Sequence, residues 1–410
     1  MFIVPQGFSD LLPGKAEVFY FVRDKLVKLF QSHGYLPLVP PTIELLDTYT
    51  LSGEREEETF NFIDHAESKT ACFRYDFTPQ VARILSNYRF SLPVKFCYDG
   101  VVLRKSRKLS GEKREIYQSG VEIVGDGTDF ADLELILLAE KIFRTLEIKS
   151  FRIFLSDVGI IRSLFNKSEV PSELRKAFIE KNITEIKIIA DKLDINSEKK
   201  KFLSDLPLMC GGEELISDIE KQYKIEEIKP YLKRLKKIAQ EANKSGITVE
   251  FDLGEVRGFE YHSGVILDCY AEDKDNRYQE VITGGRYDNL LTAYLGSAVA
   301  ATGFAVDVTK LCSCVNYSPV PSLLLVAEET SDIADVQRVA ELFRNHGVKV
   351  NILNTLKIDE YLTNWKGSYD FMIIFDSSTR KVLNLKTKTE KVVKKITSDF
   401  IKNFLKDVLK

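Results

Sequence analysis

Apolar residues along this chain repeat with two periods. Between residues 15 and 33 they fall at Val18, Phe19, Phe21, Val22, Leu26, Leu29 and Phe30, which predicts an amphipathic helix closed by Gly34. Residues 129–146 carry a second strongly helical pattern. Between these helices, two apolar and β-branched runs at 96–103 and 115–124 flank a polar, basic loop containing Gly111. That arrangement predicts a long antiparallel hairpin. Further strands are expected at 73–77, 152–155 and 248–253, within 256–271 and 280–288, and from 299, where a strand runs into a helix ending near 311. The run 35–44 is rich in proline and reads as an extended edge or interface strand. Beside a long amphipathic helix such an edge suits a dimer surface, or the capped edge of a monomer. Residues 46–71 are polar and acidic and predict a loop and a hairpin. Thr78-Pro79 predicts a helix start, with Thr78 as N-cap and Pro79 as the first helical residue.

From about residue 159 to 243 lysine and glutamate abound, glycine is scarce and helical patterns dominate. This predicts a helical insertion at 159–243 between two halves of a core, 1–158 and 244–315. A linker with Pro319 and Pro321 introduces residues 322–410. There, strand-like runs at 322–327, 348–353 and 369–375 alternate with helical runs at 333–345, 359–365 and 398–409. That order predicts a small α/β domain that folds separately.

A chain of 410 residues, 44% hydrophobic and 29% charged, has the composition of a globular protein of two or three domains. Its 58 Lys and Arg against 61 Asp and Glu leave a net charge of -3, which supplies no general attraction for nucleic acid. No basic leader with an apolar core stands at the N-terminus and no apolar run reaches membrane-spanning length, so a cytoplasmic location is expected. Most of the six cysteines sit in apolar strand-like runs, as reduced core thiols do. Cys312 and Cys314 lack a second ligand pair and the four histidines are not paired at metal spacing, so no metal or other cofactor is expected.

Three polar residues mark the hairpin. Arg104 ends the first arm, while Gln118 and Glu122, four apart on the second, point to one face of a period-2 strand. A guanidinium, an amide and a carboxylate on one face suit a small zwitterion, and a solvated hairpin with a basic tip is the alternative. Asp76 and Thr78 fall at a strand-to-helix junction, where fixed acceptors can meet a ligand amine or simply cap the helix. Gly284-Gly285 at a strand end permits close backbone approach.

Taken in order, these pieces resemble the histidyl branch of the class II aminoacyl-tRNA synthetase family, over essentially the whole chain. The residues that carry the resemblance are Gly34-Tyr35 through Pro41 with Glu44, as motif 1; the run from Arg74 through Asp76 and Thr78 to Pro79; Arg104 with Gln118, Glu122 and Gly125, as motif 2; Arg257 through Tyr261 and His262; Gly284 through Tyr287 and Asp288; and Gly303 through Ala305 to Lys310, as motif 3. The implied fold is α/β of the α+β kind, a class II synthetase-like antiparallel sheet flanked by helices. A helical insertion and a C-terminal module similar to an anticodon-binding domain complete it. By position, the resemblance implies a histidine site. Asp76 and Thr78 would meet the amino group, Arg257 and Gln118 the carboxylate end, and Glu122 the imidazole, with Tyr261, His262 and Tyr287 lining the pocket. Arg104 would be a pocket residue. A buried carboxylate facing an imidazole N–H rejects side chains that cannot donate to it. The family usually has a tyrosine where His262 stands.

This lineage holds two functions: a histidyl-tRNA synthetase, which activates histidine with ATP, and a catalytically silent regulatory subunit of ATP phosphoribosyltransferase, which serves the first step of histidine biosynthesis. Synthetases place an arginine after the motif 2 glycine to hold phosphates; here Glu112 follows Gly111. At about 4 Å a carboxylate there is worth on the order of 4 kcal/mol of repulsion at an effective dielectric of about 20. Lys310 replaces the motif 3 arginine, keeping charge and losing the planar fork. Asp307 replaces a glycine that lets the nucleotide approach backbone. These losses fall on the ATP half, and the wording at 78–84 and 287–290 also resembles the regulatory subunit. The resemblance therefore implies a non-enzyme that dimerises through motif 1 and assembles with a short-form ATP phosphoribosyltransferase catalytic subunit. It would stabilise that partner's active state and mediate feedback inhibition by histidine, with no tRNA partner. The alternatives are a histidyl-tRNA synthetase or a non-catalytic paralogue of other function. The lysines between 381 and 395 read as a solvated face or, alternatively, as RNA-binding.

Overall fold

The computed structural model describes residues 3–51, 56–105, 113–165, 170–255, 262–327, 331–354, 369–376 and 379–408. They form two compact units, Met1–Asn316 and Tyr317–Lys410.

In the first unit the strands are, in chain order, β1 (Leu36–Leu38), β2 (Ile43–Leu45), β3 (Asn61–Asp64), β4 (Lys69–Phe73), β5 (Val94–Leu103), β6 (Glu115–Val124), β7 (Phe151–Asp157), β8 (Cys210–Gly211), β9 (Glu250–Asp252), β10 (Val265–Glu272), β11 (Tyr278–Arg286) and β12 (Ala301–Asp307). Nine of them make one sheet in the order β1-β5-β6-β12-β11-β10-β7-β9-β8. Neighbours are antiparallel except β1 with β5 and β7 with β9, so the expected antiparallel sheet becomes mixed towards its two ends. β2, β4 and β3 form a small separate sheet. The hairpin is present, with β5 and β6 paired from Val94 opposite Val124 to Leu103 opposite Glu115. The proline-rich segment supplies β1 at the sheet edge, followed by β2.

One face of the sheet is covered by helices, which leaves the other to carry polar groups. The Lys15–Ser32 helix buries Val22, Leu26, Leu29 and Phe30, a stripe at three- to four-residue spacing. Phe304 and Val121, paired across β12 and β6, face that stripe, and the rings of Phe30 and Phe304 meet edge-on with centroids 6.1 Å apart. Fully burying side chains of this size contributes roughly 1.5–3 kcal/mol each. Among its described residues, the segment between β7 and β9 is helical apart from β8. Its longest helix, Lys229–Lys244, presents an Arg234 guanidinium to the buried Asp157 carboxylate at the end of β7.

The strand expected at 73–77 stops at Phe73. Beyond it, the Arg74 amide donates to the Thr42 carbonyl, and its guanidinium donates to the carbonyls of Val101 and Pro40. These bonds take the backbone out of the sheet just before the Thr78–Asn87 helix. That helix has Phe77 and not Thr78 as its N-cap residue. The capping acceptor is Asp76, whose Oδ1 takes the amides of Phe77 and Thr78 at 2.6 and 3.3 Å.

The second unit has β13 (Ser322–Ala327), β14 (Lys349–Leu353), β15 (Phe371–Phe375), β16 (Arg380–Asn384) and β17 (Glu390–Val393), in the order β14-β13-β15-β16-β17. Helices Ile333–Arg344 and Ser398–Val408 accompany them. The lysine-rich tract thus holds two strands that the apolar pattern does not predict. Lys381 and Glu390, 3.1 Å apart across β16 and β17, spend their charges on each other, and such charges hide a strand's period. The helical run expected at 359–365 lies outside the described residues. Among the described residues no helix is long and apolar enough to cross a membrane.

Candidate functional site

On the other face of the large sheet, where the Thr78–Asn87 helix packs over β5, the strand registers line up three rows of side chains. The first runs Glu122 (β6), Gly303 (β12), Gly285 (β11) and Ile266 (β10). The second runs Tyr98 (β5), Gly120, Ala305, Thr283, Asp268 and, on β7, Phe154. The third has Gln118 beside Asp307 and, further across, Glu280 beside Tyr270 and Arg152. Glycine and alanine at the centre keep the floor low. A cavity of about 260 Å³ opens there, close to the lower end of small-molecule sites, roughly 300 Å³ and upward.

Seven of the residues singled out in the sequence meet at this cavity: Asp76, Thr78, Arg104, Gln118, Glu122, His262 and Tyr287. Arg257 and Tyr261, and the Glu112 position, lie outside the described residues.

Glu122 is the centre of the arrangement. Its carboxylate is almost fully buried and accepts three hydroxyl hydrogen bonds: from Thr78 at 2.8 Å and Tyr98 at 3.2 Å on Oε1, and from Tyr287 at 2.5 Å on Oε2. Thr78 is free for this because Asp76 does the helix capping. Burial pushes the Glu122 carboxyl up to about 7 against the pull of the three hydroxyls. A charged form this costly gains from any ligand N–H that reaches it. The carboxylate also fixes the floor: a Cβ on Gly303 would lie 1.7 Å from its Oε2 and 2.4 Å from the Val121 carbonyl oxygen.

At one wall Asp76 uses its second oxygen to pair with the Arg104 guanidinium at 3.1 Å, while Arg104 Nε donates to the Tyr75 carbonyl at 3.3 Å. Arg104 sits just past the end of β5 and reaches the cavity from there. His262 is buried, and burial pushes its imidazole down to about 4, so the ring is neutral near pH 7. Its Nδ1 lies 3.3 Å from the Arg286 carbonyl oxygen. A carbonyl can only accept, so Nδ1 carries the proton.

The Gly284 to Asp288 motif proves to be largely structural. Arg286 is 4% exposed and pairs with the equally buried Asp132 on the Asp129–Thr145 helix, Nη2 to Oδ1 at 3.0 Å and Nε to Oδ2 at 3.1 Å. It also donates to the carbonyls of Asp126 and Thr128. This clamp holds the end of β11, and Tyr287 after it, against the helix layer. Asp307 is structural too: its Oδ1 accepts the Lys310 amide at 2.9 Å and caps the Val308–Cys314 helix, with Lys310 Nζ 4.0 Å from its other oxygen.

Tyr98, Asp268, Glu280 and Thr283 also line the cavity, and sequence reasoning passed over them. Tyr98 was within reach of the hairpin register, which sets it beside Gly120 between Gln118 and Glu122. Among the described residues no group of His, Cys, Asp and Glu is arranged to hold a metal ion.

A family model described as histidyl-tRNA synthetase matches residues 7–311. The ATP phosphoribosyltransferase regulatory subunit of Geobacter sulfurreducens is 30% identical over 84% of this chain and 81% of its own length. That of Thermoanaerobacter pseudethanolicus is 31% identical over 82% of this chain and 86% of its own. Among solved structures, a Bacillus halodurans protein described as an ATP phosphoribosyltransferase regulatory subunit/histidyl-tRNA synthetase superposes with a TM-score of 0.78 at 24% identity. The match covers 92% of this chain and 98% of that one, a likeness of fold.

Proposed function

We infer the function from the premise that this chain belongs to the histidyl-tRNA synthetase family, on the branch of the ATP phosphoribosyltransferase regulatory subunits. It is a regulatory subunit of ATP phosphoribosyltransferase and not an enzyme. Its partner is a short-form catalytic subunit, which supplies the chemistry of the first step of histidine biosynthesis. Histidine is the effector and occupies the Glu122 cavity. There its imidazole N–H donates to Glu122, and its amino group faces Asp76 and Thr78. Gln118 and Arg257 take the carboxylate end, and Arg104, Tyr261, His262 and Tyr287 enclose the rest. Two copies pair through the Lys15–Ser32 helix and the β1 edge, in the cytoplasm, without tRNA. For histidine to inhibit the complex tenfold, it must bind the inhibited state about 1.4 kcal/mol more tightly than the active one.

The observation that carries this reading is Asp307. Its carboxylate caps the Val308–Cys314 helix, with Lys310 Nζ 4.0 Å away, at the position where, by the resemblance, a synthetase has a glycine that lets ATP approach backbone. The Glu122 end of the cavity meanwhile gathers the Glu122 and Asp76 carboxylates with the hydroxyls of Thr78, Tyr98 and Tyr287, acceptors and donors that suit an amino acid. The test is histidine-dependent ATP–pyrophosphate exchange by the purified protein, with calorimetric histidine titration of the same sample. Binding without exchange is expected; exchange at enzymatic rates, on the order of 1 per second or faster, would make the chain a synthetase.

A further inference from the structure

Arg74 is 5% exposed, and among the described residues its guanidinium meets carbonyls and a ring, not a carboxylate. Nε donates to the Val101 carbonyl at 2.8 Å and Nη1 to the Pro40 carbonyl at 3.1 Å. A buried cation held by neutral acceptors is costly. The guanidinium carbon lies over the Phe77 ring, 4.0 Å from its centroid. Phe77 stacks in turn on Tyr98, with centroids 4.2 Å apart and planes 10° from parallel. The Tyr98 hydroxyl then donates to Glu122 Oε1 at 3.2 Å. A cation, two stacked rings and a carboxylate thus form one column, every member of it buried.

Two glycines make room for this column. Gly100 is two residues after Tyr98, on the same face of β5. A Cβ there would lie 2.6 Å from Arg74 Nη2 and 3.2 Å from Phe77 Cζ. Gly120 stands opposite Tyr98 on β6, and its Cβ would lie 2.5 Å from the Tyr98 hydroxyl oxygen. Bare backbone at both places lets the guanidinium and the Tyr98 ring settle against the sheet. A lysine at position 74 would keep the charge and lose the planar fork that reaches two carbonyls while lying on a ring. Pro40 lies between β1 and β2, so the column also ties that edge of the fold to the ligand pocket.

We propose that Arg74 is a positioning residue of the Glu122 site: through the rings of Phe77 and Tyr98 it holds the hydroxyl that fixes the Glu122 carboxylate for a ligand N–H. Arg74 itself lies outside the cavity lining and acts only through the column. Its effect on affinity rests on the histidine reading above; its effect on Glu122 does not. The Glu122 carboxyl is followed by carbon NMR of the full chain labelled at glutamate, its signal assigned by its loss in Glu122→Gln. Burial and the nearby Asp76 raise its midpoint to about 7, while the hydroxyls of Tyr287, Thr78 and Tyr98 pull it down. Tyr98→Phe should therefore raise the midpoint, by about one unit or more for a hydrogen bond to a charged group. Arg74→Met should raise it by about half a unit or more, and should add nothing in the Tyr98→Phe background. Histidine affinity, read by calorimetry, should fall about tenfold in Arg74→Met and no further when that change is added to Tyr98→Phe. A general loss of stability, read by thermal melts, would not give this pattern. If Arg74→Met fails to fold, Phe77→Leu, which leaves the arginine its carbonyls, should give the same rise. An unchanged midpoint in the folded variant, or a rise that adds in full to that of Tyr98→Phe, would overturn the proposal. Failure of the wild-type chain to bind histidine would instead overturn the effector reading, and the titration of Glu122 would still decide the role of Arg74.

Discussion

Replacing Gly303 by alanine should greatly weaken histidine binding. The added Cβ falls 1.7 Å from Glu122 Oε2 and 2.4 Å from the Val121 carbonyl oxygen. The carbonyl belongs to the β6 ladder opposite β12 and cannot retreat, so the carboxylate must swing away. Swinging it breaks the 2.5 Å bond from Tyr287 and shifts the oxygen that receives Thr78 and Tyr98. Loss of one charged hydrogen bond to the ligand lowers affinity by roughly 1.5–3 kcal/mol, about 10- to 150-fold. The filled floor removes room as well, so a loss of about 100-fold or more is expected. Overpacking of this kind lowers stability by roughly 1–3 kcal/mol, which leaves a foldable chain. Calorimetry paired with a thermal melt checks both halves. Near-native histidine affinity in a folded Gly303→Ala protein would place the ligand elsewhere.

The largest stability effect is expected at Arg286. Replacing it by alanine strands the Asp132 carboxylate in the core, beside carbonyls of Asp126 and Thr128 that lose their donor. Breaking a buried pair by removing one partner lowers stability by about 3–5 kcal/mol, because the remaining charge is left without compensation. That is a large share of the roughly 5–15 kcal/mol that holds a domain folded. Denaturant melts followed by circular dichroism read the loss. Removing both charges together, as Arg286→Met/Asp132→Leu, should recover the part owed to the stranded carboxylate, while the Asp126 and Thr128 carbonyls still lack their donor. A single variant within about 1 kcal/mol of wild type would mean that the clamp is idle.

Much of this fold was legible from period alone. The hairpin, the first helix and the Asp129–Thr145 helix follow from apolar spacing that local propensity and burial both favour. Gln118 and Glu122 share a face because strand period is 2. What period cannot reveal is register between distant strands. Gly303 lies under Glu122, 181 positions earlier in the chain (303 minus 122), and only the β6 to β12 ladder states it. Glu280 is further still from sequence logic, because Val281, the extra residue where the β10 to β11 register shifts, reverses its side. Thr78 illustrates a competition between acceptors: its type and place predict capping, yet Asp76 supplies that acceptor and the hydroxyl turns to Glu122. Charged strands such as β16 and β17 escape notice for another reason, since their lysines are satisfied across the pair and by solvent, not by the core.

The most direct test of the regulatory account is ATP phosphoribosyltransferase activity of a short-form catalytic subunit, measured with and without this chain while histidine is titrated. The account predicts activity that rises when the chain is added and falls again with histidine. Activity indifferent to the chain, in a preparation that binds histidine and exchanges pyrophosphate into ATP, would contradict it.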